Sequence, residues 1–167
     1  MAHAPEFSMT SPARTIPVAT IGYEGATVEG FLAALRDAGV RLVVDVRAVA
    51  SSRRPGFAKT RLAANLGSAD IDYLHLRGLG TPSDGRAAAR AGRHAEMREI
   101  FLAHLARPEA QFELESLAEL VRAGRPLCLL CYEADPAHCH RRLITEALQA
   151  LVPIDVRDLA PLRADPD

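Results

Sequence analysis

The stretch LCLLCYEADPAHCHRR, residues 127–142, runs from an apolar segment into groups that ionise, attack or grip anions. Cys131 and Cys139 bound a short loop, and either can be a nucleophile where a helix start and neighbouring arginines favour its thiolate. Glu133, between them, can move a proton or bind a substrate hydroxyl or amine. His140 is a further acid–base candidate, and Arg141 offers a forked guanidinium suited to phosphate or carboxylate. Arg142 falls above Glu146 on the outer face of the helix expected here, which makes Arg141 the preferred anion ligand. Cys128 and Cys131 spell C-x-x-C, yet residues three apart on a strand point to opposite faces. Cys128 therefore reads as a core residue. Cys131, His138, Cys139 and His140 fit no standard zinc spacing, and no metal or other cofactor is expected.

Three other segments carry similar groups. GYEG contributes Tyr23 as a binding candidate and Glu24 as a second carboxylate for proton transfer. DVRAVASSRRPGF contributes Asp45, Arg47, Ser52, Arg53 and Arg54. An aspartate inside an apolar strand must be paired or functional, and Arg47, Arg53 and Arg54 are its candidate partners. The basic loop itself reads either as exposed surface or as an anion clamp facing Arg141. HLRGLG contributes His75, which is a substrate contact or a satisfied core histidine.

These residues need elements to hold them. IPVATIG (Ile16–Gly22), RLVVDVR, IDYLHL, PLCLLCYE and PIDVRDL read as five short strands, several apolar throughout. Between them lie helices expected to follow Thr27 and to span 58–66, 95–105 and 111–122, and a last one opening at Asp135-Pro136. Residues 77–94, RGLGTPSDGRAAARAGRH, are weakly patterned and read as a long functional loop or lid. Alternating strands and helices predict an α/β fold. It is a single domain over 16–167, a mostly parallel central sheet of about five strands with helices on both faces, three-layered and Rossmann-like. Residues 1–15 read as a disordered tail. In an open parallel sheet, ligands sit beyond the carboxyl ends of the strands, and all four chemistry-bearing segments fall there. The opposite connections, DAGVR and RAGRP, are plain helix stops.

Composition bounds the partners. A chain of 167 residues buries a core without staples, and a net charge of −1 gives no global field for nucleic acid or acidic membranes. Lys59 is the sole lysine among 20 basic residues, so anion contacts fall to guanidinium groups. Three cysteines without a secretory segment imply a cytoplasmic chain with reduced thiols, and no apolar run is long enough to span a membrane.

TIGYEG, LVVDVRAVASSRRPGFAKTRLAANLGSADIDYLHLRGLG and CLLCYEADPAHCHRRLI together resemble the family called domain of unknown function 488. That resemblance implies a cytosolic bacterial or archaeal α/β domain with no assigned activity. Its pattern falls on Gly22, Tyr23, Glu24, Asp45, Arg47, Ser52, Arg53, Pro55, Phe57, Tyr73, His75, Leu79, Gly80, Cys131, Glu133, Cys139, His140 and Arg141. LVVDVR with a later strand ending in cysteine is also similar to rhodanese-type sulfurtransferases, though YEADPAHCHR lacks their compact loop of small residues. The residues thus leave three functions open. The first is an enzyme acting on a phosphate-bearing or nucleotide-like substrate in an arginine-lined crevice. The second is thiol or sulfur-transfer chemistry at Cys131 and Cys139. The third is a module binding a nucleotide or nucleic acid without catalysis.

Overall fold

The computed structural model describes residues 14–164, so most of the expected tail lies outside the described residues. Valine-rich and leucine-rich runs form five strands: β1 (Ile16–Gly22), β2 (Leu42–Asp45), β3 (Asp72–His75), β4 (Leu127–Cys131) and β5 (Ile154–Leu159). They make one all-parallel sheet in the order β3-β2-β4-β1-β5. Six helices connect them: α1 (Val28–Asp37), α2 (Lys59–Gly67), α3 (Ser83–Arg90), α4 (His94–Leu105), α5 (Pro108–Arg122) and α6 (His140–Gln149). Thr27 caps α1 by accepting the Gly30 N–H at 2.9 Å, and Gly39, with φ +70°, ends the turn behind it.

Alternate residues of β4 divide between two cores, as a strand buried on both faces requires. Leu127, Leu129 and Cys131 join a core with Ala88, Phe101, Leu117 and Ile144, so α3 to α6 cover that face. Cys128 and Leu130 join the other, with Phe31, Leu35, Leu62 and Leu66 of α1 and α2. Each fully buried leucine or isoleucine contributes roughly 1.5–3 kcal/mol, which is what fixes β4 in the middle of the sheet.

Two elements differ from the sequence reading. Residues 77–94 do not form a loop. A 3-10 turn, Arg77–Leu79, leads to α3, whose Ala88 is fully buried and which packs on α4. Alanine supplies the helix propensity that the surrounding glycines obscure. The last helix does not run unbroken from Asp135. Asp135 caps only a 3-10 turn, Pro136–His138, accepting the Ala137 N–H at 2.9 Å. The chain is then extended at Cys139 (φ −123°, ψ 143°), which caps α6 through its sulfur. That break turns the Cys139 side chain inward.

The order of strands sets the crevice. β2 continues through α2 on one face and β4 through α6 on the other, and the two strands are neighbours. Their carboxyl ends therefore diverge, leaving a gap where such sheets bind ligands.

Candidate functional site

Two buried arginines organise this rim. At the end of β2, Asp45 is fully buried and receives Arg47 in a fork: Nε donates to Oδ1 at 2.9 Å and Nη2 to Oδ2 at 2.7 Å. Arg47 Nη1 also donates to the Tyr23 hydroxyl at 3.1 Å and to the Phe57 carbonyl at 2.9 Å. Tyr73 donates its hydroxyl to Asp45 Oδ2 at 2.6 Å. Burial opposes the guanidinium charge, but the hydrogen bond and charge of Asp45 outweigh it and push Arg47 upward. Burial, then Asp45, likewise pushes the Tyr73 hydroxyl up. The pair is closed on itself.

At the end of β4 a different arginine is held. Arg141 in the first turn of α6 is 0% exposed, and its partners are a hydroxyl, a sulfur and two carbonyls. Nε donates to Thr20 Oγ1 at 3.1 Å, Nη1 to Cys131 Sγ at 3.0 Å and to the Glu133 carbonyl, and Nη2 to the Ala134 carbonyl at 3.2 Å. Thr20 passes the contact on, donating to Asp158 Oδ1 of β5 at 2.5 Å. Burial lowers the Arg141 guanidinium from its usual range. Gly22 makes the packing possible, because a Cβ there would collide with the Glu133 carbonyl.

In place of the expected reduced thiols, Cys131 and Cys139 are joined sulfur to sulfur, their Cα atoms 7.5 Å apart. The fold-back of residues 132–138 brings Cys139 to the end of β4. Cys128 alone remains a free thiol, buried on the opposite face and pushed far up by that burial. Glu133 Oε2 lies 3.5 Å from Cys131 Sγ. Burial raises the Glu133 carboxyl, backbone bonding and Arg141 oppose the rise, and Glu24 adds to it. Cys139 Sγ accepts the Arg141 N–H at 3.5 Å, and His140 Nδ1 stands 3.7 Å away. His140 donates Nε2–H to the Val46 carbonyl at 2.7 Å, and burial lowers its imidazole to about 4.

Two hollows flank the sulfurs. One, of about 410 Å³, is lined by Tyr23, Arg47, Ser51, Thr81, Arg86, Arg90, Tyr132, Glu133 and His140. The other, of about 360 Å³, holds Cys139 with His94, Met97, Arg98, Arg142 and Leu143. His94 stacks on His138, ring centres 4.1 Å apart.

Of the residues singled out by sequence, Tyr23, Asp45, Arg47, Cys131, Glu133, Cys139, His140 and Arg141 converge here. Glu24 ties two loops together, its Oε2 accepting the Ala134 N–H at 3.0 Å. His75 donates to the Arg47 carbonyl at 2.7 Å. Ser52 accepts the Arg54 N–H at 3.1 Å, Arg54 donates to the Ala26 carbonyl at 2.5 Å, and Arg53 is exposed outside the hollow. Arg47 and Arg141 both hydrogen-bond internal partners, and Arg47 also lines the larger hollow. Sequence reasoning missed Arg86 and Arg90. Their signal is a four-residue spacing in RAAAR, one helical face.

The family model described as domain of unknown function DUF488 matches residues 27–148. No curated protein and no solved structure matches the chain.

Proposed function

From a chain that belongs to the DUF488 family, a membership that specifies no reaction, we propose thiol–disulfide exchange at Cys131 and Cys139. The observation that carries the reading is Arg141. A fully buried guanidinium with no carboxylate among its hydrogen-bond partners calls for a negative charge, and Cys131 Sγ is 3.0 Å from it. Such a neighbour favours thiolate over thiol, and the thiolate is the reactive form. The Arg141 backbone N–H does the same for Cys139 at the start of α6.

In the reduced protein, Cys139 borders the 360 Å³ hollow, and its Sγ attacks one sulfur of a substrate disulfide. A mixed disulfide forms and one substrate thiolate leaves, taking a proton from water. Cys131 Sγ then attacks Cys139 Sγ, its proton passing to Glu133 Oε2 where it is still a thiol. The protein disulfide closes, the second substrate thiolate leaves, and two electrons have moved from the pair to the substrate. A dithiol reductant reverses the cycle.

A chromogenic aryl disulfide tests this on the reduced chain. The expected result is two thiolates released per chain, with Cys131→Ser stopping at a mixed disulfide visible by mass. Cys139→Ser as reactive as the parent protein overturns the reading, since Cys128 lies in the core on the opposite face of β4 and lines neither hollow.

A second reading rests on the 410 Å³ hollow, whose lining includes Arg47, Arg86 and Arg90 as well as Glu133. That lining suits a phosphate-bearing or nucleotide-like ligand. Phosphate and nucleotides that raise the melting temperature, and cease to in Arg86→Ala/Arg90→Ala, support it; no shift with any of them removes it.

A further inference from the structure

The same sulfurs stand beside a third donor. One ligand atom each of Cys131, Glu133 and Cys139 lies within 4.8 Å of the others, and all three side chains are buried or half-buried. The Cα atoms of the two cysteines are 7.5 Å apart, beyond the roughly 4.4–6.8 Å most disulfides span. We propose that the reduced chain binds a thiophilic divalent cation, of which zinc is the type, through Cys131 Sγ, Cys139 Sγ and a Glu133 carboxylate oxygen.

Charge supports the set. Two thiolates and a carboxylate carry three negative charges, and among the described residues the only buried cation hydrogen-bonded to them is Arg141. A divalent ion brings that group to neutrality, the condition for burying charge at tolerable cost. Sulfur and carboxylate donors match zinc, and three protein ligands leave its fourth tetrahedral position open. Glu133 lines the 410 Å³ hollow, so that position is reachable by water or a small ligand. Arg141 Nη1 remains a donor to Cys131 Sγ, the kind of outer contact that orients a metal thiolate. Balance is simple: the ion enters, any protons the two sulfurs still hold leave, and no oxidant or reductant is consumed. Metal and disulfide are then exclusive states of one pair of sulfurs.

The geometry is independent of the exchange reading, although it uses the same cysteines. The test titrates zinc into the reduced, full-length chain against a chromophoric chelator, with cobalt as a spectroscopic substitute. Expected are one equivalent bound, proton release, and a sulfur-to-cobalt charge-transfer band. Cys131→Ser and Cys139→Ser lose the band, and Glu133→Gln weakens zinc by at least about tenfold while keeping a native circular-dichroism spectrum. Uptake well below one equivalent by the parent protein overturns the site, as does uptake unchanged in both cysteine variants. Disulfide exchange without zinc uptake sinks the metal site alone. Zinc uptake without exchange sinks the exchange reading alone.

Discussion

The two buried arginines of the rim invite comparison. Arg47 meets a carboxylate in a two-pronged fork and has tyrosine and carbonyl oxygens around it. Arg141 is more deeply buried and meets only a hydroxyl, a sulfur and carbonyls. The first has a carboxylate in direct contact, whereas the second has none bonded to it and reaches Asp158 only through Thr20. On the proposed reading the difference separates scaffold from chemistry more sharply than residue type does, since both are arginines at the carboxyl rim of one sheet. His140 joins the two, donating to the Val46 carbonyl beside Asp45 while its other nitrogen stands near Cys139.

Removing a member of the closed pair has the largest expected effect. Arg47→Met strands Asp45 in the core and lowers stability by about 3–5 kcal/mol in denaturant melts, and Asp45→Asn in the same chain recovers part of it. If Arg47→Met unfolds like the parent protein, the closed pair is not the scaffold. The bridge between the regions comes next. His140 stays neutral in the native state down to about pH 4, whereas an unfolded histidine protonates near 6.5. Between those values the unfolded chain binds more protons, so stability falls as pH drops from about 6.5 to 4, by up to ~3 kcal/mol. Arg141, Asp45 and His104 are the charged or titratable neighbours acting on this imidazole. His140→Gln flattens that slope in melts at several pH values; an unchanged slope assigns it elsewhere.

Arg141→Lys sharpens the comparison at smaller cost. Lysine keeps the charge and loses the fork, so exchange with the aryl disulfide slows about tenfold, roughly 1.4 kcal/mol of lost thiolate stabilisation. The corresponding Arg47→Lys leaves that rate within about twofold. Equal slowing of both erases the distinction. Smallest of all, Arg86→Ala/Arg90→Ala changes stability by about 0.5 kcal/mol or less, because neither side chain is buried. Only ligand-induced melting shifts should respond.

Much of this was readable from the chain. Apolar runs such as LCLLC and LVVD set the strands, and glycine and proline marked their ends, so the convergence of four segments on one rim followed from topology rules alone. Asp45 announced a need for a partner because a charge in an apolar strand has no other outcome. What sequence could not supply was which polar group each arginine faces. Arg141 reads as an anion ligand in one dimension; in three it is inside, because the break at Cys139 rotates the first turn of α6 toward β1 and β4. That break depends on a sulfur accepting a backbone N–H, a weak cap that no common helix signal announces. Helix α3 was hidden for the opposite reason: its alanines are ordinary helix formers, masked by glycines at both ends.

The central position of β4 has a consequence for assembly. β1 and β2 are made early but share no edge, since β4 lies between them. On a ribosome delivering residues in order, the middle of the sheet stays open until β4 follows, long after β1, β2 and β3 are made. Ladders between such distant segments are slow to close. The cysteines thus emerge well after β1 and β2, while Arg141 of α6 and Asp158 of β5, which complete their cradle, follow them.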